Sequence, residues 1–433
     1  MMRLRARLTR RLRLHSARTQ RWLLFLLGGM VVGGAAVALA LLADAAQDVF
    51  GRIVTRWPLA PLLITPAGLA LSAYLTRRVF PNAQGSGIPQ AIAARHLHHQ
   101  TERGRLVSLR IAIGKIVLTL FGLLCGASIG REGPTVQVGA SIMFALGRLS
   151  PRRQRGLILA GASAGIAAAF NTPLAGIIFG IEEMSRAFEI GATGLLLGGI
   201  IVAGLTSRAL LGDYTYFGTT AVTLHGGLAW LAVPVCAVAG GLLGGAFSRI
   251  LIAFGRGLPG AVGRAIRRRP IVFAALCGLG TAGCGLLSGG SVYGTGYAQV
   301  KGMMEGGVMP PAAFGVLKFT ATALASVSGV PGGIFSPSLA VGAGIGANIA
   351  SLISGVPANA LILLGMVSYF AGVVQAPITA VVIVTEMTND HAMVLPLMVA
   401  AVIAYASSRL LCGEGVYHAL SRNYLPQGPA SSA

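Results

Sequence analysis

Apolar runs broken by glycine and proline constrain this chain more than any other feature. They lie at about 22–43, 59–76, 108–130, 155–181, 190–211, 227–254, 271–288, 311–327, 338–353, 358–388 and 393–411. A plain membrane-spanning helix needs ~20 consecutive apolar residues, and several of these runs are too short or too interrupted to supply one. With 54% hydrophobic and only 11% charged residues among 433, the chain is an integral membrane protein of many spans. Irregular backbone at membrane depth survives only when buried in protein or lining a watery cavity. The sequence therefore predicts a helical bundle in which some helices begin and end inside the membrane.

The formal net charge is +22, and 31 of the 34 basic residues are Arg. That excess raises nucleic-acid binding as a candidate, but the charge sits in short loops between apolar runs and at the N-terminus, so no nucleic-acid partner is expected. The opening segment MMRLRARLTRRLRLHSARTQR carries eight Arg and no acidic residue. Such a segment holds a terminus in the cytoplasm beside anionic lipid. A cleaved signal peptide is the weaker reading, because no small-residue cleavage site closes the next apolar run. If residues 22–43 cross outward and 59–76 return, the loop from Arg77 to Arg110 is cytoplasmic again, and its Arg content agrees. The five cysteines, Cys125, Cys236, Cys277, Cys284 and Cys412, have no metal-ligand spacing and suggest no disulfide framework. HLHH (His96, His98, His99) reads as a solvated basic loop, and no metal is expected.

An internal repeat organises the chain. An offset of 203 residues relates Lys115 to Lys318, Pro134 to Pro337, and the VGA at 138–140 to the VGA at 341–343. GASAGIAAAFNTPLAGIIFGIE (161–182) aligns without a gap on GMVSYFAGVVQAPITAVVIVTE (365–386), offset 204, pairing Pro173 with Pro377 and Glu182 with Glu386. A weaker echo pairs GSGI (85–88) with GTGY (294–297). The expected division is a basic segment 1–21, a first membrane repeat 22–211, a second 212–411, and a short end 412–433 with Tyr417 and a flexible tail. Repeats broken by Gly and Pro at matching places are how secondary transporters build a midplane site from discontinuous helices. The alignment alone leaves open whether the repeats are inverted or parallel.

Pro89 in GSGIP, Pro134 in GREGP, Pro173 in FNTP, Pro337 in GGIFSP and Pro377 in VQAP each precede an apolar run. Proline fits the first turn of a helix, where its missing N–H would have had no partner. A helix start at membrane depth presents unpaired amides and about +0.5 of an elementary charge, which an anion can satisfy and lipid cannot. GREGP then reads as a helix entrance built for negative charge. Glu132 supplies such a charge itself: ionised, it takes the place of an anion, and protonated, it has less reason to stay. The competing reading is a Glu132–Arg131 surface pair.

The ordered set GSGIP (85–89), GREGP (130–134), NTPLAGIIFGIEEM (171–184), GGIFSP (332–337), APITAVVIVTEM (376–387) and Tyr417 in GEGVYHAL resembles the CLC family of chloride channels and chloride/proton antiporters. The likeness covers about residues 22–420. It implies an all-α membrane fold of two inverted repeats with discontinuous helices, and a homodimer with one ion pathway per subunit. It further implies that the Ser86 and Tyr417 hydroxyls and the amides of Ile334 and Phe335 bind a central chloride. The amides of Arg131, Glu132 and Gly133 would face an outer site, with Glu132 as the gate. Glu183 matches the internal proton-transfer glutamate of antiporters, so proton-coupled exchange is favoured over passive conduction. Ser86 matches the serine of chloride-selecting members. Chloride and protons are the expected substrates, the bilayer and a second copy the expected partners, and a bacterial inner membrane the expected location. No cofactor and no enzymatic activity are expected.

The residues support part of this independently. Of the 12 acidic residues, Glu132, Glu182, Glu183 and Glu386 lie in or beside apolar runs, where each ionised side chain costs on the order of 3 kcal/mol. Glu182 and Glu386 are paired by the repeat, which points to a structural role such as capping. Glu183 has no counterpart and is the better proton carrier. Lys115 and Lys318 are also paired, either lending positive potential to the pathway or snorkelling. Gln90 and Ile92 stand where antiporters often place acidic residues, leaving the water route to Glu183 open to question. The competing functions are a passive chloride channel, an exchanger for another anion such as fluoride, and a metalloenzyme using the EEM carboxylates, for which His225, His391 and His418 are poorly spaced.

Overall fold

The computed structural model describes residues 2–185, 193–212, 214–224 and 226–426. His225 and the end of the expected flexible tail, 427–433, lie outside the described residues. The chain is helical throughout its first half: α1 (Met2–Arg56), α2 (Pro61–Arg78), α3 (Ile88–His96), α4 (Gln100–Leu106), α5 (Leu109–Leu124), α6 (Glu132–Leu146), α7 (Gln154–Phe170), α8 (Pro173–Phe179) and α9 (Thr193–Leu211). The second half follows suit with α10 (Ala232–Arg256), α11 (Gly260–Arg268), α12 (Pro270–Leu287), α13 (Tyr297–Gly306), α14 (Phe314–Val327), α15 (Phe335–Ala350), α16 (Ala358–Val374), α17 (Pro377–Thr388), α18 (Val394–Leu411) and α19 (Val416–Ser421).

Among the described residues, five helical stretches are long and apolar enough to cross a membrane, including Trp22–Arg56, Ala229–Arg256 and Pro270–Leu287. Others stop short. The 15 residues of α6 rise only about 22 Å, less than the ~30 Å of a hydrocarbon core. All five prolines of the repeated context fall in the first turn of a helix, at α3, α6, α8, α15 and α17.

The repeat extends to backbone angles. The break between α7 and α8 puts Asn171 at φ 57°, ψ 35° and Thr172 at φ −127°, ψ 82°. The break between α16 and α17 puts Gln375 at φ 59°, ψ 36° and Ala376 at φ −125°, ψ 81°. Glycine sets the packing in both halves. A Cβ on Gly161 of α7 would lie 2.2 Å from the Gly139 carbonyl of α6, and one on Gly365 of α16 would lie 2.3 Å from the Gly342 carbonyl of α15. Only hydrogen at these positions lets the two backbones touch. From Leu157 to Phe170 and from Ala360 to Val374, α7 and α16 are buried on every side, which explains sequences apolar all round rather than on one face.

The halves are tied reciprocally. Glu386 of the second half accepts from Leu174 N (3.2 Å) and Ala175 N (2.7 Å) at the start of α8. Glu182 of the first accepts from Ile378 N (3.1 Å) and from Thr379 N (2.6 Å) and Oγ1 (2.7 Å) at the start of α17. The equivalent residues Gly130 and Gly333 pair antiparallel, each amide donating to the other's carbonyl at 2.7 Å. A two-fold relation produces both patterns. It sets the starts of α6 and α15 head to head, the second repeat inverted relative to the first. The capping role expected for Glu182 and Glu386 is what the structure contains. Glu182→Ala or Glu386→Ala strands two amides of a helix start, and each is expected to cost about 1–3 kcal/mol, read as a lower midpoint of thermal unfolding in detergent. Gln, which keeps one carboxamide oxygen, is expected to cost less.

The paired lysines are staples. Lys115 is fully buried and donates to the carbonyls of Ala83 (2.6 Å) and Gly85 (2.7 Å) in the loop before α3; Lys318, also fully buried, donates to Val292 (2.9 Å) and Gly294 (2.8 Å) in the loop before α13. Snorkelling is thereby overturned: the ammonium groups satisfy carbonyls of irregular backbone that lipid would leave bare.

Candidate functional site

Three glycine-rich loops meet where the halves join. Gly85 pairs in parallel with Pro331, its carbonyl accepting from Gly332 N at 3.0 Å, beside the Gly130–Gly333 pair. Gly133 is wedged between them: a Cβ there would lie 2.9 Å from the Ser86 carbonyl oxygen and 3.1 Å from Gly333 Cα. The GSGIP, GREGP and GGIFSP motifs, more than 200 residues apart at the extremes, are therefore one cluster. The starts of α6 and α15 carry no side-chain cap, with Arg131 and Ile334 as the flanking residues. Their first amides face the junction with the partial positive charge of two helix ends.

Hydroxyls complete the cluster on one side. Ser86 is buried, and Gly87 after it takes φ 92°, a left-handed turn that starts α3 immediately behind the serine. Tyr417, on α19, is 1% exposed; its ring lies 5.9 Å from that of Phe335, and its hydroxyl makes no hydrogen bond with the described residues. A buried hydroxyl without a protein partner is costly unless a ligand uses it. A cavity of about 510 Å³ reaches this point, lined by Gln84, Ser86, Ile334, Tyr417 and Tyr424 among others. Burial pushes the Tyr424 hydroxyl up to about 12 against its bonds to Gln84 and Gln90, so it lines the cavity as a neutral group. Ser86, Gly133, Ile334, Phe335 and Tyr417, chosen from sequence, are brought together here.

Glu132 stands on the other side of the junction, 0% exposed. Its Oε1 accepts from Ser336 Oγ at 2.6 Å and from the Tyr216 hydroxyl at 3.4 Å. The alternative of a Glu132–Arg131 surface pair is overturned. The Arg131 guanidinium turns to α1, donating to Asp44 Oδ1 (2.5 Å) and the Ala40 carbonyl (2.7 Å). What Arg131 offers the junction is its backbone. A second cavity, of about 590 Å³, opens on this side and is lined by Asp44, Gln47, Asp48, Thr295 and Tyr297 among others.

Glu183 is 1% exposed and sits where the repeat symmetry fails. Its equivalent is Met387, in the regular helix α17, whereas Gly180–Ser185 is wound as a π-helix directly after α8. Such wide turns are uncommon and concentrate at functional positions. Arg95 of α3 donates to the Met184 carbonyl and holds the end of that turn. His418, next in sequence to Tyr417, donates from Nε2 to the Glu183 carbonyl (2.7 Å) and lies 3.8 Å from Glu183 Oε1. Its side chain is 17% exposed, spanning from the buried carboxyl to the surface. Gln90 is instead a brace, donating to Asn82 O (3.2 Å) and Gln84 O (2.7 Å), and Ile92 is buried in the core.

The described residues contain no group of three or more His, Cys, Asp or Glu suited to a metal ion. HLHH lies at the turn between α3 and α4, with His98 facing Arg155. Three residues of the site were not singled out from sequence, Asp44, Tyr216 and Ser336, and His418 was weighed only as a metal ligand. Ser336 lay inside the quoted GGIFSP motif and His418 inside GEGVYHAL. Nothing in the sequence near Tyr216 separates it from an ordinary loop tyrosine.

Comparison with known proteins agrees with this fold. A family model described as voltage gated chloride channel matches residues 68–409. The chain is 31% identical over 411 residues to the H(+)/Cl(-) exchange transporter ClcA of Yersinia pseudotuberculosis serotype IB (strain PB1/+), covering 89% of this chain and 80% of that one. It is 30% identical over 394 residues to the protein of the same name from Vibrio parahaemolyticus serotype O3:K6 (strain RIMD 2210633), covering 86% and 80%. Among solved structures it is similar to a slow cyanobacterial Cl−/H+ antiporter, with TM-score 0.78, 25% identity and coverage of 94% of this chain and 99% of that chain. In fold it also matches a CLC-type fluoride/proton antiporter, with TM-score 0.76, 23% identity and coverage of 93% and 97%.

Proposed function

The chain belongs to the voltage gated chloride channel family, and from that premise we propose that it is a chloride/proton antiporter in which one buried seat is shared between chloride and the Glu132 carboxylate. The observation that carries this reading is the placement of Glu132, fully buried where the uncapped amide ends of α6 and α15 meet. An ionised carboxylate there neutralises the helix ends, and a chloride in the same place does so equally well. Both cannot occupy it at once. Protonation removes the charge that holds Glu132 in place, so a proton taken up and a chloride admitted become linked events.

Chloride coming from the opposite cavity meets the Ser86 and Tyr417 hydroxyls and the Ile334 and Phe335 amides, donors without a full positive charge that bind an anion and let it leave. The proton takes a second route. Glu183, beside Tyr417 through His418 but held in its own turn, receives the proton away from the anion line. We read the Glu183 side as cytoplasmic, together with the basic N-terminus, and the Asp44 side as external, in the inner membrane of a bacterium.

A homodimer is part of the reading. Leu174, Leu205, Ile378, Leu395 and Val402, on α8, α9, α17 and α18, are more than half exposed. The capping bonds to Leu174 N and Ile378 N lie in this exposed region, where carboxylates facing lipid would be expensive. A second copy covers them at less cost, and subunit counting of the purified protein in detergent should give two.

The test is flux in sealed vesicles. A chloride gradient is expected to drive protons uphill, with fluoride and nitrate compared side by side. Chloride movement with no proton movement would make the protein a passive channel, and faster fluoride than chloride exchange would reassign the substrate.

A further inference from the structure

The strap of chain between α9 and α10 reaches over the gate. Tyr216, in that strap, is 1% exposed and packed edge-on against Phe170 (5.5 Å between ring centres), Phe217 (5.0 Å) and Tyr297 (4.7 Å). Both halves hold the strap down: Asn171 Nδ2 donates to the Tyr214 carbonyl (3.0 Å), Phe217 N to the Met387 carbonyl (2.9 Å), and Thr220 N to the Thr388 carbonyl (3.1 Å). The Tyr216 hydroxyl is therefore placed, and it points at Glu132. Ser336, second residue of α15, reaches the same oxygen from the opposite repeat. Two hydroxyl donors converge on Oε1. Oε2 has no partner among the described residues and lies over Gly130, where a Cβ would come within 2.5 Å of it.

We propose that Tyr216 and Ser336 are positioning residues that clasp the Glu132 carboxylate in the shared seat, and so set the chloride concentration at which the seat is given up to chloride. The proposal rests on the antiport reading. Both hydroxyls can donate to a carboxylate, and a donor to the charged form favours that form. The remaining ionisable groups around Glu132 are Arg131, paired with Asp44 of α1, Tyr417 on the inner side, and Tyr214 and Tyr297 flanking Tyr216. None of them takes over the bond to Oε1. Tyr297 lines the external cavity and Tyr216 packs on it, which ties the clasp to the wall of that cavity.

The sign follows. Removing the donors loosens the carboxylate in the seat, and chloride displaces it more readily. In vesicles, the Tyr216→Phe/Ser336→Ala double variant is expected to reach its flux midpoint at a several-fold lower chloride concentration. Ser336→Ala alone should account for more of the shift than Tyr216→Phe, since its bond is the shorter, and Ser336→Thr should restore the original profile. Chloride affinity of the purified variant, measured by calorimetry, is expected to rise several-fold; this readout does not depend on turnover. An unmoved midpoint and unchanged affinity in folded variants overturn the clasp while leaving antiport standing. If the unaltered protein moves no protons with chloride, both proposals fall together.

Discussion

Glu132→Gln is expected to yield chloride flux that no longer responds to pH and carries no protons. The amide is nearly the same size as the carboxyl and keeps an oxygen for Ser336 and Tyr216, so the site should remain folded. What disappears is the charge. A neutral side chain gains little from the helix ends of α6 and α15, each worth up to ~2 kcal/mol to a partly buried anion. Chloride then competes with a group that has little hold on the seat, and its affinity should rise by about tenfold or more, each factor of ten being ~1.4 kcal/mol. The amide also cannot release a proton, so chloride-driven proton movement should fall to background. Vesicle flux with simultaneous pH recording reads both quantities. Persistent pH-dependent chloride flux in this variant would remove Glu132 from the gate.

Glu183→Gln is expected to split the two substrates differently. Chloride flux should continue at a comparable rate, because Glu183 sits in the π-helical turn and contributes no atom to the Ser86–Tyr417 cluster. Proton movement should vanish, because no other acid among the described residues is buried near Tyr417 on that side. Glu182 is no substitute: both its oxygens are committed to the start of α17. Protons still following chloride in Glu183→Gln would place the inner relay elsewhere. Whether coupling survives with Gln90 and Ile92 at their positions is read from proton movement in the unaltered protein.

The repeat was the most legible part of the fold, and the reason is physical. Positions that repeat in the sequence are those where the backbone leaves the helix and a specific group must satisfy it: Lys115 and Lys318 for loop carbonyls, Glu182 and Glu386 for helix amides, proline for the first turn. Residues under that constraint cannot drift apart freely in either half, so the offset survives. The capping role of the glutamates could be argued before any coordinates, because a pair preserved by the repeat is unlike a single proton carrier. The lysines were less legible, since a buried ammonium and a snorkelling one look the same in a row of letters.

The helix starts that frame the proposed seat were legible in the sequence, and their side-chain neighbours were not. GREGP and GGIFSP announce helix starts, and helix starts announce anions. Which hydroxyl then reaches Glu132 depends on how the two starts are set against each other, and only the Gly130–Gly333 pairing decides that Ser336 faces the carboxylate. Tyr216 was beyond reach for a related reason. Its place is fixed by the bonds its neighbours Tyr214, Phe217 and Thr220 make with Asn171, Met387 and Thr388, all distant in sequence. The side-chain partner of Arg131 was beyond reach for the same reason, its neighbour in sequence being Glu132 while its partner in space is Asp44, 87 residues earlier. The π-helical winding at Gly180–Ser185 had no composition signal, and is visible only as the place where one half declines to copy the other.

The reciprocal caps have a consequence for how the protein is made. The amides that open α8 wait for a carboxylate 211 and 212 positions downstream, which at 5–20 residues per second leaves them bare for on the order of ten to forty seconds of translation. A newborn first half is thus an unfinished object inside the bilayer, dependent on water, lipid headgroups or the insertion machinery until its sibling arrives. Severed into two genes, the halves should mature only when co-translated, and a ribosome stalled between them should leave a fragment marked for destruction.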